Sequence, residues 1–456
     1  MTEVFNMVFE KPVKFNLLKF VLAGVVLTLL LVGGCAFSRS GGSGGNAGDK
    51  GNPAINPRPD KGSEDQDKSS TGSGNLRFVR EIDLLKEGLH IDSLDYAADG
   101  GALISPDSRK VALSGFKYSA DEGTEPESRL AVADLTTGKV QVVDTGPFIR
   151  VLEWSPSSGK ILYRKFESLY VADINGNSPL EISGSSYHGS FSPDGKMIAY
   201  SERDNGIFTV KADGNDKKQV TFKKGDWYPV WYPDGKNLFY FADRDVNLGD
   251  GAGQLQGLGR VNLETGNRED ILSDETGKYR RASWVVPGKV LHINKGWDDG
   301  YFEIMVNLET GKITDLGENS ENNYSTAIDR ANGLVYKADS KRVVALDGSG
   351  NEVSSFPFDK PVDDRFLTNF GYSVSPDGRL LAYLFGEKGS YADSNIKGRK
   401  VWVVKYDGTG TTELTADYGD FTTPVWTRGS SHLVTTEQKG GQESKFVIRV
   451  TPVPSS

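Results

Sequence analysis

The chain has 456 residues, 37% of them hydrophobic, and a formal charge of −9. Acidic charge spread along the whole length, with no basic stripe, excludes nucleic acid as a main partner. The 54 glycines point to many tight turns rather than long helices, and one cysteine excludes a disulfide framework or a cysteine-based metal site.

In chain order, Lys11, Lys14 and Lys19 precede the apolar run FVLAGVVLTLLLVGG, residues 20–34. That run has the length of a signal-peptide hydrophobic region and is short for a membrane span. It ends in Val32-Gly33-Gly34-Cys35, which resembles the lipobox of bacterial lipoproteins. The resemblance implies cleavage after residue 34 and a lipid on Cys35. The alternative is a cysteine that merely ends a transmembrane anchor. Both readings hold the remainder outside the cytoplasmic membrane, and Met7 is a second candidate start. In an organism with two membranes, Ala36 in place of Asp after the cysteine favours the outer membrane.

Residues 36–75 contain almost no large apolar side chains, so they cannot bury enough surface to offset the entropy of ordering. With Cys35 they form the expected tether, with a reach of roughly 35 Å. The GGSGG at residues 41–45 matches a nucleophile-elbow pattern only in letters, since no strand precedes it and no helix follows.

From residue 76 the chain repeats itself. A short strand ends in a bulky residue and a Pro/Asp/Gly turn, as in VLEWSP at 151, HGSFSP at 188 and YPVWYP at 228. A second strand follows, such as KMIAYS or NLFYFA, then a third strand, a hairpin turn and a fourth. In Ser-Pro-Asp-Gly, proline presets φ for the turn, aspartate suits the next position, and Gly195 or Gly378 accepts positive φ. Each unit is therefore a four-stranded antiparallel meander. Turn anchors near residues 105, 155, 192, 232, 286, 330, 375 and 428 give the period of a β-propeller. Eight blades are expected over residues 76–456, with seven as the alternative because units one and six are degenerate. The eighth unit lacks a fourth strand, and LRFVREIDLL at 76–85 is expected to supply it and close the ring.

FSPDGKMIAY, WYPDGKNLFY and VSPDGRLLAY resemble the WD-repeat-like motif of TolB-type propellers, which also occurs in propeller domains of prolyl oligopeptidase relatives. The resemblance covers roughly residues 90–450 and implies an all-β propeller. It implies little about function, because the motif is the turn and strand that build a blade. The chain departs from TolB itself in holding a tether where that protein has an α/β domain.

No catalytic constellation is legible. His90, His188, His292 and His432 sit at different places in their units, and no room follows the last blade for a hydrolase domain. Asp243, Asp245, Asn247 and Asp250 resemble the start of a calcium-binding loop. That loop lacks glycine at its sixth position and has Gln254 where a bidentate Glu would complete it. The competing reading is a long Gly-rich excursion between strands two and three of blade four. Trp154, Trp231, Trp284 and Trp426 share one register and are expected to pack between blades. Trp227, Trp297 and Trp402 fall outside it, and Trp227 and Trp297 are expected as exposed loop aromatics suited to partner or glycan contact.

The expected function is therefore a non-enzymatic, lipid-anchored, monomeric binding or scaffold module for an envelope protein, peptide or glycan. The alternative is a polysaccharide-active lyase or hydrolase. It would draw Asp226, Arg280, Arg281 and His188 together from the starts of the first strands.

Overall fold

The computed structural model describes residues 77–454, apart from 96–101, 120–123, 175–177, 187, 248–251, 275–277, 298–299, 319–325, 339–341, 358–371, 387–398, 416–419, 422 and 440–444. All of them belong to the unit Ser73–Ser456. Residues 1–76, with the lipobox and the tether, lie outside the described residues, as does Asp250.

The chain is an eight-bladed β-propeller of antiparallel blades. Blade two shows the plan, with strands Ile149–Trp154, Lys160–Lys165, Ser168–Asp173 and Leu180–Ser183 in spatial order. First strands touch the first strands of neighbouring blades, so strand one lines the axis and strand four faces outward. Blades one and eight have a first strand in two pieces, Ser93–Leu94 with Ala102–Ile104 and Asp420–Phe421 with Val425–Trp426. Degeneracy in the sequence of blade one thus reflects an interrupted inner strand, and the seven-blade alternative falls. The four-stranded blade implied by the TolB-type phrase is the blade observed.

The repeated phrase works as a local device. The Ser192 hydroxyl donates to Asp194 at 2.6 Å and accepts the Met197 N–H at 2.9 Å, while Gly195 takes φ of +71°. The hydroxyl bond and the Lys196 N–H hold the Asp194 carboxyl below the usual carboxylate range. Ser105 with Asp107 and Ser375 with Asp377 repeat this bond at 2.6 Å.

Blades adhere through apolar faces and a recurring indole bond. Leu162, Leu169 and Val171 of blade two pack with Phe191, Ile198 and Tyr200 of blade three. Fully burying such a side chain contributes about 1.5–3 kcal/mol. The Trp154, Trp231 and Trp426 indoles each donate to the backbone of the preceding blade, to Leu103, Ser190 and Ser373 carbonyls at 2.9, 3.1 and 3.0 Å. Trp284 does the same to the Trp231 carbonyl at 3.0 Å. The shared register is thus inter-blade packing.

The ring closes as the sequence implies. Glu81–Asp83 pairs antiparallel with Lys445–Pro452 and serves as the fourth strand of blade eight. Ile82 sits 2% exposed in the core it shares with Phe446, Ile448 and Leu113.

Candidate functional site

The two ends of the ring differ in kind. The lower end carries the Pro-Asp-Gly turns and the hairpins between strands three and four. The upper end carries the starts of the first strands, the turns between strands two and three, and the crossings between blades. Residues leading into Glu81 enter at the lower end, where Phe78 lies edge-on to His432 at 4.8 Å and the Val79 N–H donates to the Leu135 carbonyl at 2.8 Å.

Exposed aromatic side chains are commoner at the upper end. Among the described residues, the exposed aromatics there are Tyr118, Phe148, Phe166 and Phe222, at 57, 44, 56 and 65%. Among the described residues the one comparably exposed aromatic at the lower end is Tyr406, in the hairpin after Lys405.

In blade two, Arg150 and Arg164 are direct cross-strand partners. Arg150 Nε meets the buried Asp95 carboxylate at 3.2 Å. Burial and the neighbouring Arg150 charge lower the pKa of the Arg164 guanidinium, against the pull of Asp95 and Glu167. Two rungs further, the Phe166 N–H donates to the Phe148 carbonyl at 3.3 Å, and their rings lie 6.4 Å apart, tilted by 39°. Both residues hold positive φ, 47° at Phe148 and 55° at Phe166.

In blades three to five, His188, Tyr228 and Arg281 each stand three residues before the bulky end of their first strand. His188 stacks on Tyr228 at 3.7 Å with rings 10° from parallel. Burial, helped by the Arg281 charge and opposed by the Pro229 carbonyl, pushes the imidazole down to about 3, so it is neutral. Tyr228 takes φ of 54° on a bulge between Trp227 and Val230, which turns its ring onto His188. Between blades two and three, Glu153 accepts the Phe191 N–H at 2.7 Å, and burial pushes its carboxyl up to about 7.

The expected site residues fare unequally. Arg281 is exposed and His188 stands within its electrostatic reach, so these two do come together. Asp226 begins strand one of blade four and is buried at 2% exposure. Arg280 falls on an irregularity of the blade-five first strand between Tyr279 and Arg281. Trp227 is no exposed loop aromatic. It lies within strand Asp226–Trp231, half-buried, packs edge-on to Phe241 at 5.2 Å and donates to Asp243 at 3.1 Å. Close approach of the Gly225 backbone to Asp243, which a Cβ would meet at 2.3 Å, draws the chain inward there. Trp297 ends strand Val290–Trp297, paired with Gly300, rather than standing in a loop. Trp402 belongs to strand Arg399–Lys405 and packs beside Tyr383 and Phe356.

The acidic segment is also rearranged. Asn237–Asn247 and Ala252–Asn262 pair continuously out to Asn247 and Ala252, so Asp243, Asp245 and Asn247 lie along one extended strand. A strand spaces alternate residues nearly 7 Å apart, whereas a calcium loop wraps them around one point. Among the described residues no group of three or more His, Cys, Asp or Glu side chains is placed to hold a metal. His292 lies apart from the upper end, buried between blades five and six, 3.3 Å from Glu303 and 3.3 Å from the Thr326 hydroxyl.

Sequence reasoning missed Phe148, Phe166, Arg150, Arg164 and Glu153. A signal existed for Phe166. Lys165 pairs with Ser168, leaving Phe166-Glu167 as a two-residue hairpin loop whose first position needs positive φ, ordinarily given to Gly or Asn.

No protein-family profile and no curated protein matches the chain. Among solved structures it is similar to dipeptidyl peptidase 4 of Porphyromonas gingivalis, at 16% identity and a TM-score of 0.51, covering 76% of this chain and 57% of that one. It is similar to the Dos1 propeller at 10% identity and a TM-score of 0.50, covering 82% of this chain and 95% of that one. The putative TolB of Agrobacterium tumefaciens aligns at 16% identity and a TM-score of 0.37, covering 73% of this chain and all of that one, 100%. The first two likenesses concern the fold. The chain spans little over half the length of the peptidase, 57%.

Proposed function

We propose that this chain is an extracytoplasmic binding module, anchored through lipid on Cys35, that engages an envelope protein, peptide or glycan with its upper end. One observation carries the reading: four of the five exposed aromatic side chains among the described residues lie at the end of the ring opposite to where the chain enters. Exposed aromatic side chains beside cations, kept out of the core, are the composition of contact surfaces. A lipid anchor and tether joined at the lower end would leave the upper end free to face a partner. The ring needs no second copy to cover its edges, which supports a monomer.

The test is capture from envelope extract with the full-length chain in detergent. Reversing charge at the upper end, Arg281→Glu with Phe222→Asp, should abolish capture of a partner that Lys196→Glu at the lower end leaves intact. Equal capture by all variants removes the upper end as the binding surface.

A second reading rests on the His188–Arg281 neighbourhood. A guanidinium beside a neutral imidazole sets an anion-stabilising group next to a hydrogen-bond partner, two parts a polysaccharide lyase or hydrolase uses. The base would come from another side chain, because the imidazole is held near 3. Turnover of envelope polysaccharide that disappears in both His188→Phe and Arg281→Ala would establish it over simple binding.

A further inference from the structure

The turn that repeats along the lower end carries its own counter-ions. In blades three and seven the cation after the glycine meets the aspartate of the same turn, Lys196 with Asp194 at 3.7 Å and Arg379 with Asp377 at 4.0 Å. In blades four and five it meets the hairpin between strands three and four, Lys236 with Glu264 and Lys289 with Glu309, each at 3.1 Å. Ring closure removes both kinds of partner from blade eight. Its turn reads Thr427-Arg428-Gly429-Ser430, with no aspartate. It has no such hairpin either, because its fourth strand is Glu81–Asp83, and the residues leading into that strand bring Arg77 and Arg80 instead.

Backbone bonds draw blade one into the same place. The Arg428 N–H reaches Ser108, the residue before Arg109, at 2.7 Å. Leu135 N–H donates to the Arg109 carbonyl, Val79 N–H to the Leu135 carbonyl and Asp134 N–H to the Lys139 carbonyl, each at 2.8 Å. Arg77, Arg80, Arg109, Lys139 and Arg428 are all exposed. Among the described residues none of these five side chains has an ion-pair or hydrogen-bond partner. The carboxylates nearby are occupied. Asp107 accepts the Ser105 hydroxyl and the Arg109 N–H, and Asp134 accepts the Thr136 hydroxyl and the Thr136 and Thr137 N–H groups. Glu81 is joined to Arg449 at 3.6 Å. Five exposed cations thus stand beside two turn-bound aspartates, in a chain whose formal charge is −9.

Resting on the reading that lipid on Cys35 anchors the chain, we propose that this patch is a docking face that lays the lower end of the ring on anionic phospholipid headgroups. The patch surrounds the point where residues 36–75 lead into the ring, and a tether with a reach of roughly 35 Å holds that point close to the bilayer. Tethering makes contact with the surface an intramolecular event, so a few cations suffice to bias it. Clustered Lys and Arg beside a membrane anchor are attracted to anionic lipid and fit phosphate oxygens. Docking in this way turns the upper end away from the bilayer and towards a partner.

The experiment reconstitutes the full-length lipidated chain into vesicles of phosphatidylcholine, alone or mixed with phosphatidylglycerol. A fluorophore attached through Ser157→Cys, in the blade-two turn at the lower end, reports energy transfer to a headgroup-labelled lipid. Transfer should be higher in the anionic vesicles and should fall to the neutral level at raised salt, which screens exposed charges. Arg109→Gln, Lys139→Gln and Arg428→Gln should each lower the ratio of docked to lifted rings by about fivefold. Combined reversal of the three to Glu should remove the difference between vesicles. The same change in net charge at the upper end, Lys86→Glu with Lys223→Glu and Lys224→Glu, should leave it. The three patch side chains are exposed and bond no other residue, so their variants keep the fold. Equal transfer in both vesicles, or a difference that survives the triple reversal, overturns the docking face. Loss of the difference in millimolar inorganic phosphate at constant ionic strength means a discrete phosphate site and overturns it too. Flotation separates the two readings: a chain that does not float with neutral vesicles rejects the lipid anchor, whereas a floating chain indifferent to lipid charge rejects the patch alone.

Discussion

The backbone N–H of Arg428 in the last blade donates to the hydroxyl of Ser108 in the first, at 2.7 Å. The bond spans the seam of the ring, and the same contact links neighbouring blades elsewhere. Asp107 N–H reaches Ser158 Oγ at 3.0 Å and Asp377 N–H reaches Ser430 Oγ at 3.2 Å. Ser108, Ser158 and Ser430 stand where other turns have glycine, with φ of 60°, 61° and 54°. Left-handed strain at each serine is thus set against a hydrogen bond across a blade boundary. Ser108→Ala should lower unfolding free energy by about 1 kcal/mol, because the bond is lost and the strain stays. Ser108→Gly should cost less, since glycine relieves the strain. Urea denaturation orders the two, and a more damaging glycine would refute this account of the seam.

Closure by the N-terminal strand makes Ile82 a lever on the whole ring. Ile82→Asp places a carboxylate in a core position and should cost about 3 kcal/mol or more. It should also free the edge of Lys445–Pro452 and promote aggregation. Light scattering and the denaturant midpoint read both effects, and an unchanged midpoint would show that closure contributes little.

Two half-buried groups near the axis oppose one another in their pH dependence. The Glu153 carboxyl is raised to about 7, so its contribution to stability is complete below its unfolded pKa of 4.5 and is lost as pH rises through 7. The His188 imidazole is lowered to about 3, so its contribution is complete above 6.5 and is lost as pH falls toward 3. Glu153→Gln should therefore melt progressively higher relative to the wild type between about pH 5 and pH 8. His188→Phe should gain on the wild type in the acid direction instead. Melting curves of the three proteins across this range check both signs.

The lipid anchor makes a separate prediction. Cys35→Ser should abolish incorporation of labelled palmitate and release the chain from the membrane fraction. Retention of the serine variant in the membrane would favour an uncleaved transmembrane anchor.

Calcium binding can be tested against the strand geometry of blade four. With Asp243 bonded to Trp227 and its neighbours spread along one strand, millimolar calcium should leave the melting temperature and tryptophan fluorescence as they are in chelator. A calcium-dependent rise that Asp243→Asn removes would restore the metal reading.

The blade plan was legible because it rests on contacts between residues close in sequence. Ser192, Asp194 and Gly195 make their turn within a few residues, and alternation along Met197–Glu202 follows from the two-residue period of a strand. Even the closing strand could be inferred, since a repeat with one strand missing and one strand spare leaves one pairing. Trp227 shows where that logic stops. Placed from its neighbours it looked like a loop residue, but the Gly225 approach and the bulge at Tyr228 fold it against Phe241.

The sequence by itself determined the blade, the number of its strands and the device at each turn, because the hydrogen bonds and periodicities involved span few residues. Only the tertiary structure decided which unrepeated side chains meet. Arg150 faces Arg164 through strand register, and His188 lies on Tyr228 across a blade boundary. Those juxtapositions depend on register and on the angle between blades, both set by packing over distances that no local pattern encodes.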